Sequence, residues 1–325
     1  MQRYRDYEGL AARDRGAAVA IGNFDGVHLG HQSVLALARA AAADLDAPLG
    51  VVTFEPHPRA HFDPDCPPFR LMNAEARARR FEKLGVARLY ELRFDACLAA
   101  MTAEGFVGQV LADGLGIRHL VAGADFRFGK GRAGDAALLR RLGPGLGFGV
   151  TIAPLVADRG DDVSSTAIRQ ALSEGRPRDA ARMLGHWHRI EGRVEHGEAR
   201  GRDLGYPTAN VDMAGLHLPL FGVYAVGVDV LGGPHAGRYG GAASIGVRPT
   251  FGENRPNLEV HLLDFAGDLY GVPLSVALIA FQRPETRFAS AGALVARMQA
   301  DVAEARRHLA EASGPDGRPQ PRWLA

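Results

Sequence analysis

Two histidines in a glycine-containing segment are the residues best suited to chemistry in the first half of the chain. Residues 22–31 read GNFDGVHLGH and lie between an apolar run and a helical pattern. A turn of this kind at a helix N-terminus presents free N–H groups and the positive end of the helix dipole to a phosphate. Because His28 and His31 are three residues apart, both can donate hydrogen bonds to the same anion. The segment therefore predicts a phosphate site.

Two other interpretations of this histidine pair stay open. Histidines at i and i+3 can ligate zinc, but only Asp25 offers a further ligand beside them. Both histidines can also be ordinary surface residues. The flanking glycines and the position after a strand favour phosphate binding.

Two further clusters follow later strand candidates and so reach the same predicted sheet edge. Residues 123–132 offer three cations and two aromatic rings, and they are not a Walker A motif because no Ser or Thr follows Lys130. Residues 163–169 contain three consecutive hydroxyl side chains, at positions 164–166, and place Arg169 one helical turn after the first of them. Together the clusters predict an anion cage, with helix capping as the alternative role of the serines.

The second half of the chain carries oxygen donors of a different kind. A glycine-rich loop, residues 201–205, precedes a Pro-Thr-x-Asn sequence. Thr208 and Asn210 offer neutral oxygens that suit a magnesium ion whose other ligands are water and phosphate. Glu259 lies on an alternating strand pattern, and by itself this position is typical of a residue facing solvent.

Hydrophobic patterning supplies a scaffold for each half. The first half alternates strand candidates with helical segments, which indicates an α/β fold with a parallel sheet. Its strand candidates are residues 18–21, 50–54, 88–92, 119–122 and 150–153, and its helix candidates are residues 32–45, 74–84, 102–115 and 133–142. The second half has closely spaced strand candidates and one late helix, which predicts an antiparallel barrel. These segments are residues 189–194, 222–230, 241–246, 258–265 and 274–281, followed by a helix over 291–310.

Length and composition bound the architecture and the partners. A chain of 325 residues with 46% hydrophobic residues suggests two folded domains, which we place at residues 1–183 and 184–312 with a flexible tail at 313–325. The 38 basic and 37 acidic residues leave almost no net charge, so the protein has no overall positive potential to attract DNA or anionic lipid. We therefore expect no nucleic-acid or membrane partner. Two cysteines and no apolar N-terminal segment predict a cytoplasmic protein.

Four motifs of the first half resemble, in order, the adenylyltransferase module of the bacterial bifunctional riboflavin kinase/FAD synthetase family. They are residues 22–31, 53–58, 125–129 and 164–169. The resemblance implies a Rossmann-like nucleotidylyltransferase domain in which His28, His31 and Arg169 are catalytic. It implies that ATP is bound by Gly22, Asn23, Phe24, Asp25, Gly26, His28, His31, Ser165, Thr166 and Arg169. Candidates for the flavin or its phosphate are Asp125, Phe126, Arg127, Phe128, Lys130 and Arg132.

Motifs of the second half resemble the riboflavin kinase module of the same family. They are residues 201–210, 222–226, 244–251, 259–265, 268–271 and 283–288, with Tyr206 and Ser244 where many members have Phe and Asn. The resemblance implies that Glu259 accepts the proton of the substrate hydroxyl. It implies ATP binding by Gly201, Gly205, Pro207, Thr208 and Asn210, with Thr208 and Asn210 as Mg²⁺ ligands.

The predicted function is flavin cofactor synthesis in two steps. Riboflavin and ATP give FMN and ADP in the second domain, and FMN and ATP give FAD and pyrophosphate in the first. The second step needs no general base, because the attacking phosphate is already ionised. Two alternatives are a nucleotidylyltransferase for another phosphorylated substrate with a non-catalytic barrel, and a flavin-binding protein without activity. The oligomeric state is left open.

Overall fold

Apolar strands of the first half form a six-stranded parallel sheet. The strands are β1 (Gln2–Tyr4), β2 (Ala18–Ile21), β3 (Leu49–Glu55), β4 (Arg88–Arg93), β5 (His119–Gly123) and β6 (Gly149–Ala153). Their order is β1-β4-β3-β2-β5-β6, and every pairing is parallel. The chain leaves β2 towards β3 on one side and returns to β5 on the other, so the carboxyl end of β2 is a topological switch point. Ligands of open α/β sheets bind at such a point.

The structure is a computed structural model that describes residues 1–158, 161–197, 205–250 and 253–312. Contacts between Cα atoms divide the chain into two units. The first unit is residues 1–66 with 77–163, and the second is residues 67–76 with 164–325. The domain boundary that the sequence predicts, after residue 183, does not coincide with the division between these units, and it stays a prediction.

Helices cover the sheet of the first unit. They are α1 (Leu29–Asp44), α2 (Pro58–Phe62), α3 (Ala74–Lys83, which begins in residues 67–76), α4 (Ala96–Ala100), α5 (Ala103–Gly105) and α6 (Ala136–Leu142). A π-helical segment (Phe106–Gly114) follows α5, and short 3₁₀ turns cover Ala12–Asp14, Lys130–Arg132 and Pro144–Leu146. A two-strand hairpin, β7 (Ala157–Asp158) and β8 (Asp161–Asp162), follows β6. All four residues of β2 are buried, as expected of a strand covered on both faces.

The second unit contains a closed antiparallel barrel. Its strands are β9 (Arg189–Glu195), β10 (Ala209–Asp212), β11 (Gly222–Val230), β12 (Gly237–Thr250), β13 (Glu253–Leu262) and β14 (Pro273–Arg283), in the order β10-β13-β12-β11-β14-β9. The helices α7 (Ser165–Ser173) and α8 (Pro177–Leu184) precede the barrel, and α9 (Ala291–Ala312) follows it. Inward residues such as Ile190, Val226 and Val276 are fully or almost fully buried and form the barrel core.

Most differences from the predicted elements have local causes. Helix α1 begins at Leu29 instead of residue 32, because the His28 side chain caps it by accepting a hydrogen bond from the His31 N–H. Helix α6 begins at Ala136, since Asp135 accepts from the Leu138 N–H at 2.9 Å. The predicted helix over 102–115 is split between α5 and the π-helical segment. The short strands β1 and β10 were missing from the prediction, because three or four residues carry too little periodicity to be recognised.

Candidate active sites

The loop after β2, residues 22–28, is named here the phosphate loop and has an unusual backbone. Phe24, Gly26 and Val27 have φ values of 52°, 89° and 44°, which lie in the left-handed region. Only Gly26 adopts this conformation without a steric cost. Phe24 and Val27 are fully buried, so packing holds them in place while the Asn23 side chain stays exposed. The loop is therefore a tightly packed turn at the switch point of the sheet.

The two predicted phosphate ligands, His28 and His31, lie against each other. Their rings stack with centroids 3.6 Å apart and an interplanar angle of 21°. His28 Nδ1 accepts the His31 backbone N–H at 3.3 Å, which places the proton of a neutral His28 on Nε2. Nε2–H of His28 is therefore a donor whose orientation is set by the helix cap. The two imidazoles therefore lie side by side at the start of α1.

His31 is held in its neutral form by its surroundings. Burial, together with the adjacent His28 ring, holds the pKa of His31 well below its ordinary value. The Phe24 ring lies 5.1 Å from the His31 ring and contributes to this apolar environment. The His31 Nδ1 atom is buried and has no hydrogen-bond partner among the described residues. A neutral His31 imidazole with a buried nitrogen that lacks a partner fits a ligand that brings its own oxygens.

Gly30 is required by the stacked pair. A Cβ atom at this position would lie 3.1 Å from Cε1 and Nδ1 of His28 and 3.6 Å from the Val163 carbonyl oxygen. Contacts near 3.1 Å are tighter than side chains tolerate without movement, so any larger residue would displace the His28 ring. Close packing against the His28 ring therefore explains why a glycine lies between the two histidines.

The cluster at residues 123–132 also lies in the first unit, beyond the carboxyl end of β5. Asp125, Arg127, Lys130 and Arg132 are exposed, and Arg127 forms an ion pair with Asp135 at 3.2 Å. A cleft of about 530 Å³ at the ends of β5 and β6 is lined in part by Arg127, Asp135 and Arg140.

The two aromatic candidates of this cluster are placed differently from its cations. Phe126 is half-buried and stacks on Phe128 with ring centroids 5.6 Å apart. Phe128 is buried in the core against Phe106, with centroids 5.7 Å apart. Phe126 is therefore the more accessible aromatic ring of the pair.

The predicted ligands Ser165, Thr166 and Arg169 lie on α7, in the second unit. Ser164 caps this helix, since its Oγ accepts the Ala167 N–H at 3.2 Å, so the capping role kept open for the serines belongs to Ser164. Because α7 belongs to the second unit, the proximity of its residues to the histidines stays a prediction.

A histidine that the sequence did not single out fixes the middle of α7. His217 Nε2 donates to the Arg169 carbonyl oxygen at 3.0 Å. Burial lowers the pKa of His217, which keeps it neutral near pH 7. This contact orients the turn of α7 that carries the Arg169 guanidinium, so His217 supports a predicted ATP ligand.

The predicted kinase residues meet on neighbouring barrel strands. Asn210 of β10 is the direct cross-strand partner of Glu259 of β13. Asn257, two residues before Glu259, donates to the Asn210 Oδ1 atom at 3.0 Å and lies 3.4 Å from the Glu259 Oε1 atom. Asn210 is buried, whereas Glu259 is half-buried and keeps access to solvent. The side-chain amide of Asn257 thus links the amide oxygen of Asn210 to the carboxylate of Glu259. Asn257 is a candidate site residue that the sequence analysis missed.

The surroundings of this centre order the chain that leads into β10. His261 Nδ1 contacts the Pro207 carbonyl oxygen at 2.9 Å, and the Tyr206 ring lies 5.2 Å from the His261 ring. Thr208, between these contacts and Asn210, is half-buried. Gly205 is described and has a φ of 80°, whereas the predicted ATP ligand Gly201 lies outside the described residues.

A second carboxylate lies close to the same strands. The Glu285 side chain occupies the space above Gly246, so a Cβ atom at this position would clash with Glu285 Oε1. Gly246 is the cross-strand partner of Asn257. Arg283 is held by Asp301 through two hydrogen bonds of 2.9 and 2.6 Å, which fixes the turn that carries Glu285. The sequence motif at 283–288 pointed to this turn but gave Glu285 no role.

Comparisons with known proteins cover both units. A family model described as FAD synthetase matches residues 10–167, and one described as riboflavin kinase matches residues 184–309. A bifunctional riboflavin kinase/FMN adenylyltransferase of Pseudomonas fluorescens is 46% identical over 307 residues, which cover 94% of this chain and 97% of that relative. The chain belongs to this family. The family's Escherichia coli (strain K12) member is 42% identical over 295 residues, which cover 91% of this chain and 93% of that relative.

One solved structure is similar over nearly the whole chain. It is described as a macrolide-efflux protein from Streptococcus pneumoniae, is 32% identical, and aligns with a TM-score of 0.80 over 94% of this chain and 98% of that one. Within the described part of this chain, no helix has the length and apolar character needed to cross a membrane.

Membership of the riboflavin kinase/FMN adenylyltransferase family confirms the predicted fold and activities. The FAD synthetase match covers strands β2 to β6 of the parallel sheet, and the riboflavin kinase match covers the barrel. The non-catalytic barrel considered above is therefore set aside. Both activities consume ATP, and ATP-dependent families of this kind use a divalent metal.

The oxygen donors at the kinase centre fit a divalent metal bound together with phosphate. Asn210 Oδ1 is an amide oxygen that accepts a hydrogen bond from Asn257, and Thr208 offers a hydroxyl two residues earlier. The described residues hold no cluster of three or more His, Cys, Asp or Glu side chains suited to a metal. A hard cation that takes its other ligands from water and ATP matches the amide and hydroxyl oxygens of Asn210 and Thr208.

Proposed function

We propose that Asn210, Asn257 and Glu259 form the centre that phosphorylates riboflavin, and that the phosphate loop with His28 and His31 binds ATP for adenylyl transfer to FMN. The observation that carries the first assignment is the Asn210–Asn257–Glu259 hydrogen-bonded chain. The second rests on the stacked imidazoles at the switch point of the sheet.

Phosphorylation of riboflavin needs a proton acceptor for a neutral alcohol. Glu259 accepts the proton of the terminal ribityl hydroxyl. The oxygen of this hydroxyl attacks the γ-phosphorus of ATP, and the bond from this phosphorus to the bridging oxygen of ADP breaks. The half-buried carboxylate is accessible, and Asn257 orients one of its oxygens. Asn257 thus holds the base and Asn210 in a fixed relation.

Thr208 and Asn210 would hold Mg²⁺ in this centre. When bound, the ion neutralises charge on the β- and γ-phosphates and so favours phosphoryl transfer. Gly201, Gly205 and Pro207 belong to the loop that we assign to ATP binding before β10.

Adenylyl transfer needs donors for the charge that grows on pyrophosphate. An FMN phosphate oxygen attacks the α-phosphorus of ATP, and the bond from this phosphorus to the bridging oxygen of pyrophosphate breaks. His28 and His31 donate hydrogen bonds to the phosphates. Neither has to transfer a proton, because the attacking phosphate is already ionised. Ser165, Thr166 and Arg169 of α7 complete the ATP-binding set that we propose.

The remaining assignments follow the same division of labour. Among residues 125–132, the exposed cations and half-buried Phe126 are our candidates for binding FMN. We assign residues 1–183 to the adenylyltransferase domain and 184–312 to the kinase domain, which is supported by the ranges of the two family matches. We place both reactions in the cytoplasm, because they consume ATP and the two cysteines, Cys66 and Cys97, are free thiols.

Two variants test this division. With riboflavin and Mg-ATP, Glu259→Gln should form no FMN, yet it should convert supplied FMN to FAD at close to the unaltered rate. The double variant His28→Ala/His31→Ala should form FMN but no FAD. Chromatographic separation of riboflavin, FMN and FAD measures both steps in one assay. Equal loss of both activities in either variant, or FAD synthesis without the histidines, would contradict the proposal.

A further inference from the structure

One fully buried cation has no part in the mechanism described so far. Arg77 of α3 is 0% exposed and is among the largest fully buried side chains of the protein. Arginine is rarely buried to this extent unless its charge and its donors are satisfied. The partners of Arg77 therefore indicate why a charge is kept in this position.

The guanidinium of Arg77 joins three segments at the carboxyl edge of the sheet. Its Nη2 donates to Glu55 Oε2 and Glu91 Oε1, each at 2.9 Å, and to the Phe54 carbonyl oxygen at 3.3 Å. Its Nη1 donates to the Asn23 carbonyl oxygen at 3.2 Å. The contacts to β3 and β4 compensate the charge, whereas the contact to Asn23 reaches the phosphate loop.

The Asn23 carbonyl lies immediately before the left-handed part of the phosphate loop. Phe24 and Val27 adopt positive φ without being glycine, at 52° and 44°. Such conformations persist only where the surrounding structure fixes them. Thr53, which is fully buried on β3, donates its hydroxyl to the same carbonyl at 3.3 Å. Two side chains from different elements therefore hold one backbone oxygen of the loop.

We propose that Arg77 is a positioning residue for adenylyl transfer: it fixes the phosphate loop, and with it His28 and His31, through the Asn23 carbonyl. This inference rests on the proposed function of that loop. The planar guanidinium suits the role because it can serve the two carboxylates and the carbonyl at once. A lysine ammonium keeps the charge but is a single compact centre that cannot span these acceptors.

The first test is Arg77→Lys in the full chain, which keeps the charge beside Glu55 and Glu91. We expect kcat/KM for ATP in FMN adenylation to fall about tenfold to a hundredfold, as loss of preorganisation typically costs. Riboflavin kinase activity should stay close to that of the unaltered protein. The midpoint of urea unfolding should fall, because buried acceptors lose a donor that lysine cannot replace. Arg3→Lys is the matched control, because Arg3 pairs with the other oxygen of Glu91 at 3.2 Å. This control should change adenylation by less than twofold.

The second test uses Thr53, so that the inference can be refuted even if Arg77→Lys is unstable. Thr53→Val should lower adenylation, Thr53→Ser should restore it, and kinase activity should be unchanged in both. In the combination of Thr53→Val with Arg77→Lys, the effects should be non-additive, because both donors serve one carbonyl. A purely structural role predicts instead a parallel loss of stability and no rescue by serine.

The outcomes separate this inference from the proposed function. Unchanged adenylation in Arg77→Lys, or equal Thr53→Val and Thr53→Ser activities, would overturn the positioning role while leaving the histidine assignment intact. Retained FAD synthesis in His28→Ala/His31→Ala would overturn the function of the loop itself, and with it this inference.

Discussion

Substitution of Gly30 by alanine isolates the geometry of the stacked histidines from the stability of the fold. The new Cβ would lie 3.1 Å from Cε1 and Nδ1 of His28, so the ring must shift by a few tenths of an ångström. The His31 N–H to His28 Nδ1 hydrogen bond is already 3.3 Å long, and this shift would break it. A lost hydrogen bond of this kind costs about 1 kcal/mol, and alanine in a helix recovers up to about 1 kcal/mol relative to glycine.

The two effects nearly cancel in the free energy of unfolding, but they do not cancel in the chemistry. We expect the urea midpoint of Gly30→Ala to change little, while kcat/KM for FMN adenylation falls about tenfold, which corresponds to about 1.4 kcal/mol. Riboflavin kinase activity, measured in the same preparation, should be unchanged. Gly145→Ala is the matched control, because a Cβ at Gly145 meets no atom within 4 Å. Full adenylation activity in Gly30→Ala would refute the reasoning that the His28 ring position matters.

Three further predictions concern the second unit. Asn257→Ala should lower riboflavin kinase activity about tenfold without affecting FMN adenylation, because Asn210 and Glu259 lose their shared donor. If this variant kept the kinase activity of the unaltered protein, that result would argue against the hydrogen-bonded centre. Burial beside His217 lowers the pKa of His188 to about 3, below its unfolded value of about 6.5. Below pH 6.5 the unfolded chain therefore binds more protons than the folded protein, and the free energy of unfolding should decline as pH falls from 6.5 towards 3. Between pH 6.5 and 5 this amounts to at most about 2 kcal/mol, and urea titrations of His188→Gln should show a flatter profile than the unaltered protein. Removal of divalent cations with a chelator should stop riboflavin phosphorylation, and Thr208→Val should raise the Mg²⁺ concentration needed to restore it; restoration at an unchanged concentration would exclude Thr208 as a ligand.

Much of the fold could be predicted because its signals are local. The apolar run before Gly22 and the helical pattern after His31 predicted a strand, a turn and a helix, and β2 and α1 have these positions. The spacing of the barrel strands likewise predicted β11 and β14 within two residues of their ends. The π-helical segment could not be foreseen, since its composition is that of an ordinary helix and its winding depends on packing.

The site residues that were missed share one property, which is that their partners are distant in sequence. Asn257 reaches Asn210 across two barrel strands, 47 positions apart along the chain. Arg77 reaches Asn23 across 54 positions, and by itself it is one of several arginines of an amphipathic helix. No short motif marks such residues, because their contacts exist only once the sheet and the barrel have set the register.

The sequence alone determined the chemistry that this protein can support. Residue types and local spacing placed His28 and His31 on one helical turn and Thr208 beside Asn210, and these relations hold in any structure with those elements. The tertiary structure decided which ionisable side chains are buried with partners and which of them are neutral. It buried Arg77 among carboxylates and made His31 neutral by desolvation. It also paired Asn210 with Glu259 through strand register. Burial and register depend on elements far apart along the chain, so only the folded protein specifies them.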